Sequence, residues 1–94
     1  MRTSMRSSMK SVFLQKHFEK RYAKLPQKIK DAFRERRNIF LKNMYDPILN
    51  NHSVDKAYPG CCSIDITGDY RAIFFENGDV VTFVAISTHA QLYK

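Results

Sequence analysis

The sequence predicts an α+β domain, with two N-terminal helices packed on a twisted, largely antiparallel sheet of about four strands. Three observations carry this. A long β-branched and aromatic run from Asp69 to Tyr93 is divided by Asn77-Gly78. Upstream of it, Cys62, Ile64 and Ile66 alternate with Ser63, Asp65 and Thr67. Between residues 14 and 43 the apolar residues recur at helical spacing instead. A chain of 94 residues is one small domain and buries only ~60–65% of its unfolded surface.

The first residues, Met-Arg-Thr-Ser-Met-Arg-Ser-Ser-Met-Lys, lack the apolar stretch of a signal peptide, so a cytoplasmic protein is expected. Residues 1–8 read as a flexible tail ahead of a single domain over 9–94, and Met5 and Met9 are equally credible starts. No apolar run is long enough to cross a membrane. Val12-Phe13-Leu14 either closes a short strand or opens a helix. Leu14, Phe18, Tyr22 and Leu25 then form one helical face, with Lys16, Glu19, Lys20, Arg21 and Lys24 on the wet side. Pro26 ends that helix and suits the first turn of the next. The second helix carries Ile29, Ala32, Phe33, Arg36 and Phe40 on one stripe, with Ile39 at its edge, and runs to about Asn43. Its outward residues include Lys28, Lys30, Asp31, Arg34, Glu35, Arg37 and Lys42. A helical pair alone cannot bury both stripes, so it must lie on the sheet.

Asp46-Pro47, Asn50 to Ser53 and Tyr58-Pro59-Gly60 read as turns and loops. Thr67-Gly68-Asp69 then leads into a hairpin with strands near 69–76 and 79–87. Asn77-Gly78 suits a two-residue type I′ turn, in which both central residues take positive φ. That register pairs Phe75 with Val80, Phe74 with Val81, Ala72 with Phe83, Arg71 with Val84 and Asp69 with Ile86. Its core face holds Tyr70, Ala72, Phe74, Val81, Phe83 and Ala85; the other face is mixed. The polar, reactive residues gather at the end away from the turn: Asp69, Tyr70 and Arg71 at its start, Thr88, His89 and Tyr93 at its finish.

Charge is the informative bulk property. Residues 1–43 hold 13 Lys+Arg and 3 Asp+Glu, a balance of +10, whereas residues 44–94 hold 3 and 6, a balance of −3; together they give the net +7. A basic half points to a polyanionic partner, or to an acidic protein that masks it. Adjacent Cys61 and Cys62 cannot bridge without strain. Two thiols make no zinc site, so two reduced cysteines, one or both buried, are expected, and no metal or other cofactor.

His17, His52 and His89 each have an ordinary reading as surface, loop and strand-end residues. As a set with Arg71 they suggest more. Metal-free RNA cleavage needs a base for the 2′-hydroxyl, a cation for the phosphate and an acid for the leaving oxygen. Histidine suits the proton steps, and arginine's planar fork suits the phosphate. Tyrosine can stack on a base. Asp69 could orient His89 or pair with Arg71 across the sheet end. Tyr70 and Tyr93 could equally be packing residues, and the basic helix faces merely solvated.

The chain resembles the RelE/ParE superfamily of type II toxins, closest to the RelE- and YafQ-like messenger-RNA interferases. The resemblance is carried by Phe18-Glu-Lys-Arg-Tyr-Ala-Lys-Leu-Pro26, the basic second helix ending Asn-Ile-Phe40, His52, Ile-Thr-Gly-Asp-Tyr-Arg-Ala-Ile-Phe74 and Thr-His-Ala-Gln-Leu-Tyr93. It implies a first strand near residues 9–14. It also implies a ribosome-dependent, metal-independent endoribonuclease that cleaves messenger RNA in the A site, with a cognate antitoxin, the ribosome and messenger RNA as partners. His52, Asp69 and His89 match positions used in catalysis by YafQ-like members, Tyr93 matches a family aromatic, and Arg71 matches a phosphate-binding arginine. Catalytic roles are therefore expected for His89, Arg71, His52 and Asp69, and RNA contacts for Tyr70, Tyr93, Lys28, Arg34 and Arg37. The chain departs from some YafQ-like members at Asp65 (histidine there), Ala85 (arginine), Tyr70 (tryptophan) and Ser87 (glycine). A ParE-like toxin that poisons gyrase without nuclease activity is the alternative, and a non-catalytic RNA-binding domain a third.

Overall fold

The computed structural model describes residues 10–93, so the tail expected over 1–8 lies outside the described residues. The order is β1 (Ser11–Leu14), α1 (Lys16–Ala23), α2 (Gln27–Lys42), a 3₁₀ turn (Pro47–Leu49), β2 (His52–Ser53), β3 (Cys62–Asp65), β4 (Tyr70–Asn77), β5 (Val80–Thr88) and α3 (His89–Leu92). The strands form one sheet in the order β1-β5-β4-β3-β2. β1 runs parallel to β5 and the remaining pairs are antiparallel. The fifth strand, β2, falls where a loop was expected: two residues suffice to pair His52 with Ser63 and Ser53 with Cys62.

The helices pack on one face of the sheet through aromatic rings. Phe18 of α1 meets Phe33 of α2 at 5.3 Å between centroids and Phe83 of β5 at 5.8 Å. Phe40 of α2 meets Phe74 of β4 edge-on at 5.0 Å. Such tilted and edge-on pairs add roughly 0.5–1.5 kcal/mol beyond area burial. Ile64, Ile66, Ala72, Val81 and Ile86 complete the core, with Leu49 closing it from the 3₁₀ turn. Pro26 precedes α2 as its N-cap, and its carbonyl accepts from the amides of Ile29 and Lys30. Arg36, on the inward stripe, spends its guanidinium on the Ile48 carbonyl at 3.0 Å.

The hairpin forms, in a different register. Asn77 pairs with Val80 and Phe74 with Phe83, so the two turn residues are Gly78 and Asp79. Gly78 has φ +63° and Asn77 has no positive φ. Positive φ at the first central residue alone is the type II′ pattern, which corrects the type I′ reading. The register then slips: Ile73 pairs with Ala85, leaving Val84 as an extra residue on β5. A bulge of this kind reverses the facing of everything beyond it. Hence Ile86, and not Ala85, joins the core, Arg71 lies opposite Ser87, and Tyr70 lies opposite Thr88. On β3, Ser63 falls on the polar side of the alternation, yet it is fully buried. Ile73 beside it is buried too, so this second face of the sheet is also covered in part.

Candidate functional site at the open end of the hairpin

Strand alternation sorts the polar residues onto the face away from the helices. The row Asp65–Arg71–Ser87 crosses β3, β4 and β5. Two residues further along each strand comes Ser63–Ile73–Ala85, which β2 extends to His52. At the open end the His89 amide donates to the Asp69 carbonyl at 2.9 Å. That bond ties the main chain of His89, whose side chain is exposed, to Asp69, the residue two before Arg71 in the sequence. Thr88 caps the helix that begins there, its side chain accepting from the Gln91 amide.

Arg71 is held closely. Its Nη1 donates to the carbonyls of Thr67, Gly68 and Tyr70 at 3.2, 3.1 and 3.3 Å. Its Nε lies 3.0 Å from Oδ1 of Asp65, with the two side chains 18% and 27% exposed. That approach is an ion pair without hydrogen-bond alignment, since Asp65 Oδ1, a buried atom, has no hydrogen-bond donor. Ser63 Oγ is likewise buried and unpartnered. The sequence reading offered Asp69 as the arginine's partner. The structure assigns that part to Asp65, because β3 pairs directly with β4 and places the two side chains side by side. Asp69 touches His89 through its backbone carbonyl.

His52 sits on the outermost strand. Its Nδ1–H donates to the Asn50 carbonyl at 2.7 Å; a carbonyl can only accept, so Nε2 of the neutral ring is left as an acceptor. β2 stands three strand spacings from β5, roughly 14 Å. His52 and His89 are therefore not neighbours, and a molecule handled by both must lie across β3 and β4, over Arg71. Tyr70 turns to the helix side and packs on the core, so alternation removes it from this face. Tyr93 lies 4.7 Å from the His89 ring, and Tyr58 meets it edge-on at 6.2 Å while donating to the Leu92 carbonyl at 3.1 Å. Burial raises the Tyr58 hydroxyl above the usual tyrosine range, with Tyr93 adding to the effect. Burial also raises both cysteine thiols. Both are free and half-buried, so neither reaches the full burial expected.

Lys28 and Arg34 are exposed on α2 and Arg37 is half-buried. Arg34 pairs with Asp31 at 2.7 Å. α2 covers the opposite face of the sheet, so these cations do not meet Arg71, and any RNA they touch is a different segment. Sequence reasoning missed Arg21, whose Nη2 donates to Ser87 Oγ at 2.9 Å, and Gln91, which accepts from that same hydroxyl. No local pattern marks Arg21, because its contact joins residues 66 apart; Gln91 is only four residues from Ser87, and their contact forms because the chain turns into α3 directly after β5. Among the described residues no cluster of three potential metal ligands occurs, and no described helix is long and apolar enough to cross a membrane.

No family model matches the chain, and no curated protein matches it in sequence. Its three-dimensional form is similar to solved structures. YafQ from E. coli strain BL21(DE3) superposes with a TM-score of 0.74 at 16% identity, over 92% of this chain and 100% of that one. YafQ in the E. coli DinJ-YafQ toxin-antitoxin complex gives 0.72 at 16% identity, over 92% and 99%. The archaeal RelE-RelB complex from Pyrococcus horikoshii OT3 gives 0.67 at 21% identity, over 88% and 98%. With two helices on one face of a mostly antiparallel five-stranded sheet, this chain has the RelE/YafQ-like toxin fold.

Proposed function

We propose that the protein is the toxin of a type II toxin–antitoxin system, a cytoplasmic endoribonuclease that cuts messenger RNA in the ribosomal A site without a metal. The observation that carries this reading is the His89 amide bond to the Asp69 carbonyl. It holds an exposed imidazole at the same end of the hairpin as a guanidinium, on the face opposite the one that Phe18, Phe33 and Phe40 cover. RNA supplies its own nucleophile, the 2′-hydroxyl. The protein need only take that proton, steady the phosphate as negative charge builds, and return a proton to the leaving 5′-oxygen. His89 serves one proton step. His52, with Nε2 open, serves as its counterpart for a strand lying across β3 and β4. Arg71 offers its Nη2 to the phosphate. Tyr93, packed on the His89 ring, limits how far that ring can turn and presents a stacking edge. Asp69 positions His89 through the main chain. Lys28, Arg34 and Arg37 face a separate RNA segment, which suits ribosomal RNA. The basic N-terminal half suits an acidic antitoxin as the resting partner; two of the solved complexes of similar fold are toxin or RelE chains bound to DinJ and to RelB.

The test is message cleavage in a ribosome-programmed extract. The parent should cut within translated messages in the presence of a chelator, and His89→Ala should lose about 10²-fold or more in rate. Intact messages with the parent protein, or unchanged cleavage by His89→Ala, would refute the reading. Inhibited gyrase with intact messages would assign a ParE-like activity in its place.

A further inference from the structure

Arg71 is the expected phosphate contact, yet its charge is already answered by Asp65 and its Nη1 by three carbonyls. A different cation at the same end carries no such compensation. β1 pairs with β5 only as far as Phe83. Beyond that point α1 packs against β5, and Arg21 reaches Ser87, the residue directly opposite Arg71. Ser87 is 5% exposed. Its hydroxyl accepts from Arg21 and donates to Oε1 of Gln91, so it is engaged in both senses and its orientation is set. Arg21 itself is exposed. Among the described residues no acidic side chain lies within ion-pair distance of it. A guanidinium has five N–H donors, and one neutral hydroxyl uses one of them. The remaining donors and the positive charge have no protein partner among the described residues, and the bond to Ser87 keeps the guanidinium near the row that holds Arg71.

We infer that Arg21 is the principal phosphate-binding cation of this site, with Ser87 as the pivot that aims it and Arg71 in a supporting place. The inference rests on the nuclease reading for its substrate class, an RNA phosphodiester. The chemistry favours arginine for a definite reason. One edge of the planar fork can stay on Ser87 while another bonds a non-bridging phosphate oxygen, which a lysine ammonium at the end of its stem cannot reproduce.

The experiment uses a short 2′-O-methyl RNA, which lacks the nucleophile and so reports binding alone, followed by fluorescence anisotropy at low salt. Arg21→Gln should weaken binding about tenfold. Lys20→Gln removes the same charge from the adjacent position and should cost about twofold or less. Arg21→Lys, which keeps the charge and guards against a folding defect in the glutamine variant, should recover only part of the loss. Equal losses for Arg21→Gln and Lys20→Gln, or full recovery by Arg21→Lys, would overturn the assignment. The parent is run in the cleavage extract in parallel: uncut messages there sink the nuclease reading, while the binding comparison still decides Arg21.

Discussion

Replacing Arg71 by alanine is expected to lower the unfolding free energy by about 2–3 kcal/mol. The figure comes from its contacts. Nη1 has two hydrogens for three carbonyl acceptors, at 3.1–3.3 Å, so it makes the equivalent of about two shared hydrogen bonds. Each is worth roughly 1 kcal/mol net for a partly exposed charged donor. The ion pair with Asp65 adds about 1 kcal/mol: with side chains 18% and 27% exposed, it falls between the small worth of a surface pair and the larger cost of breaking a buried one. A domain of this length has roughly 5–10 kcal/mol of total stability, so the variant stays folded at room temperature. Its melting point should drop by about 10–20 °C. Urea unfolding of the parent, Arg71→Ala, Asp65→Ala and the double variant measures this, with a coupling of about 1 kcal/mol expected between the two sites. A coupling of zero together with an Arg71→Ala cost below about 0.5 kcal/mol would refute the claim that Arg71 is committed to the 67–70 turn. It would also return Arg71 to the position of a free phosphate clamp.

Three further outcomes test other parts of the structure. Gly78→Ala should cost about 1 kcal/mol, because its φ of +63° suits glycine and nothing crowds an added Cβ; Asn77→Ala should cost under about 0.5 kcal/mol, and a larger loss at Asn77 by urea unfolding would restore the type I′ turn. Deleting Val84 removes the bulge while keeping Ala85 opposite Ile73 and Ile86 opposite Ala72, so Ile86 stays on the core face and thermal unfolding should shift by about 1 kcal/mol or less; a loss of about 3 kcal/mol or more, as expected if the deletion turned Ile86 outward, would contradict the register. Stability should also fall in alkali. Tyr58, Cys61 and Cys62 hold their protons more tightly folded than unfolded. Their contribution is therefore complete below their unfolded values, roughly 8.5 for cysteine and 10 for tyrosine, and is lost as pH rises through the folded ones. Urea midpoints that stay level from pH 8 to 11 would count against this, as would an unaltered pH slope in Cys62→Ser.

Local patterning determined much of this protein. Stripes at Phe18, Phe33 and Phe40 could only be helix faces seeking a sheet, and the alternation around Ile64 could only be a strand. Proline and glycine marked the breaks, and the closing Thr-His-Ala-Gln gathered reactive groups at one end. These are short-range consequences of side-chain period and turn chemistry, legible within a window of a dozen residues. Tertiary pairing decided the rest. The bulge at Val84, invisible in composition, exchanged Ala85 for Ile86 in the core and put Ser87 opposite Arg71. Pairing of β3 with β4 gave Arg71 to Asp65 in place of Asp69. The early end of β1 let α1 bring Arg21 to Ser87 across 66 residues. Such contacts depend on which strand edges meet and in what register, and those are set by the packing of the whole core.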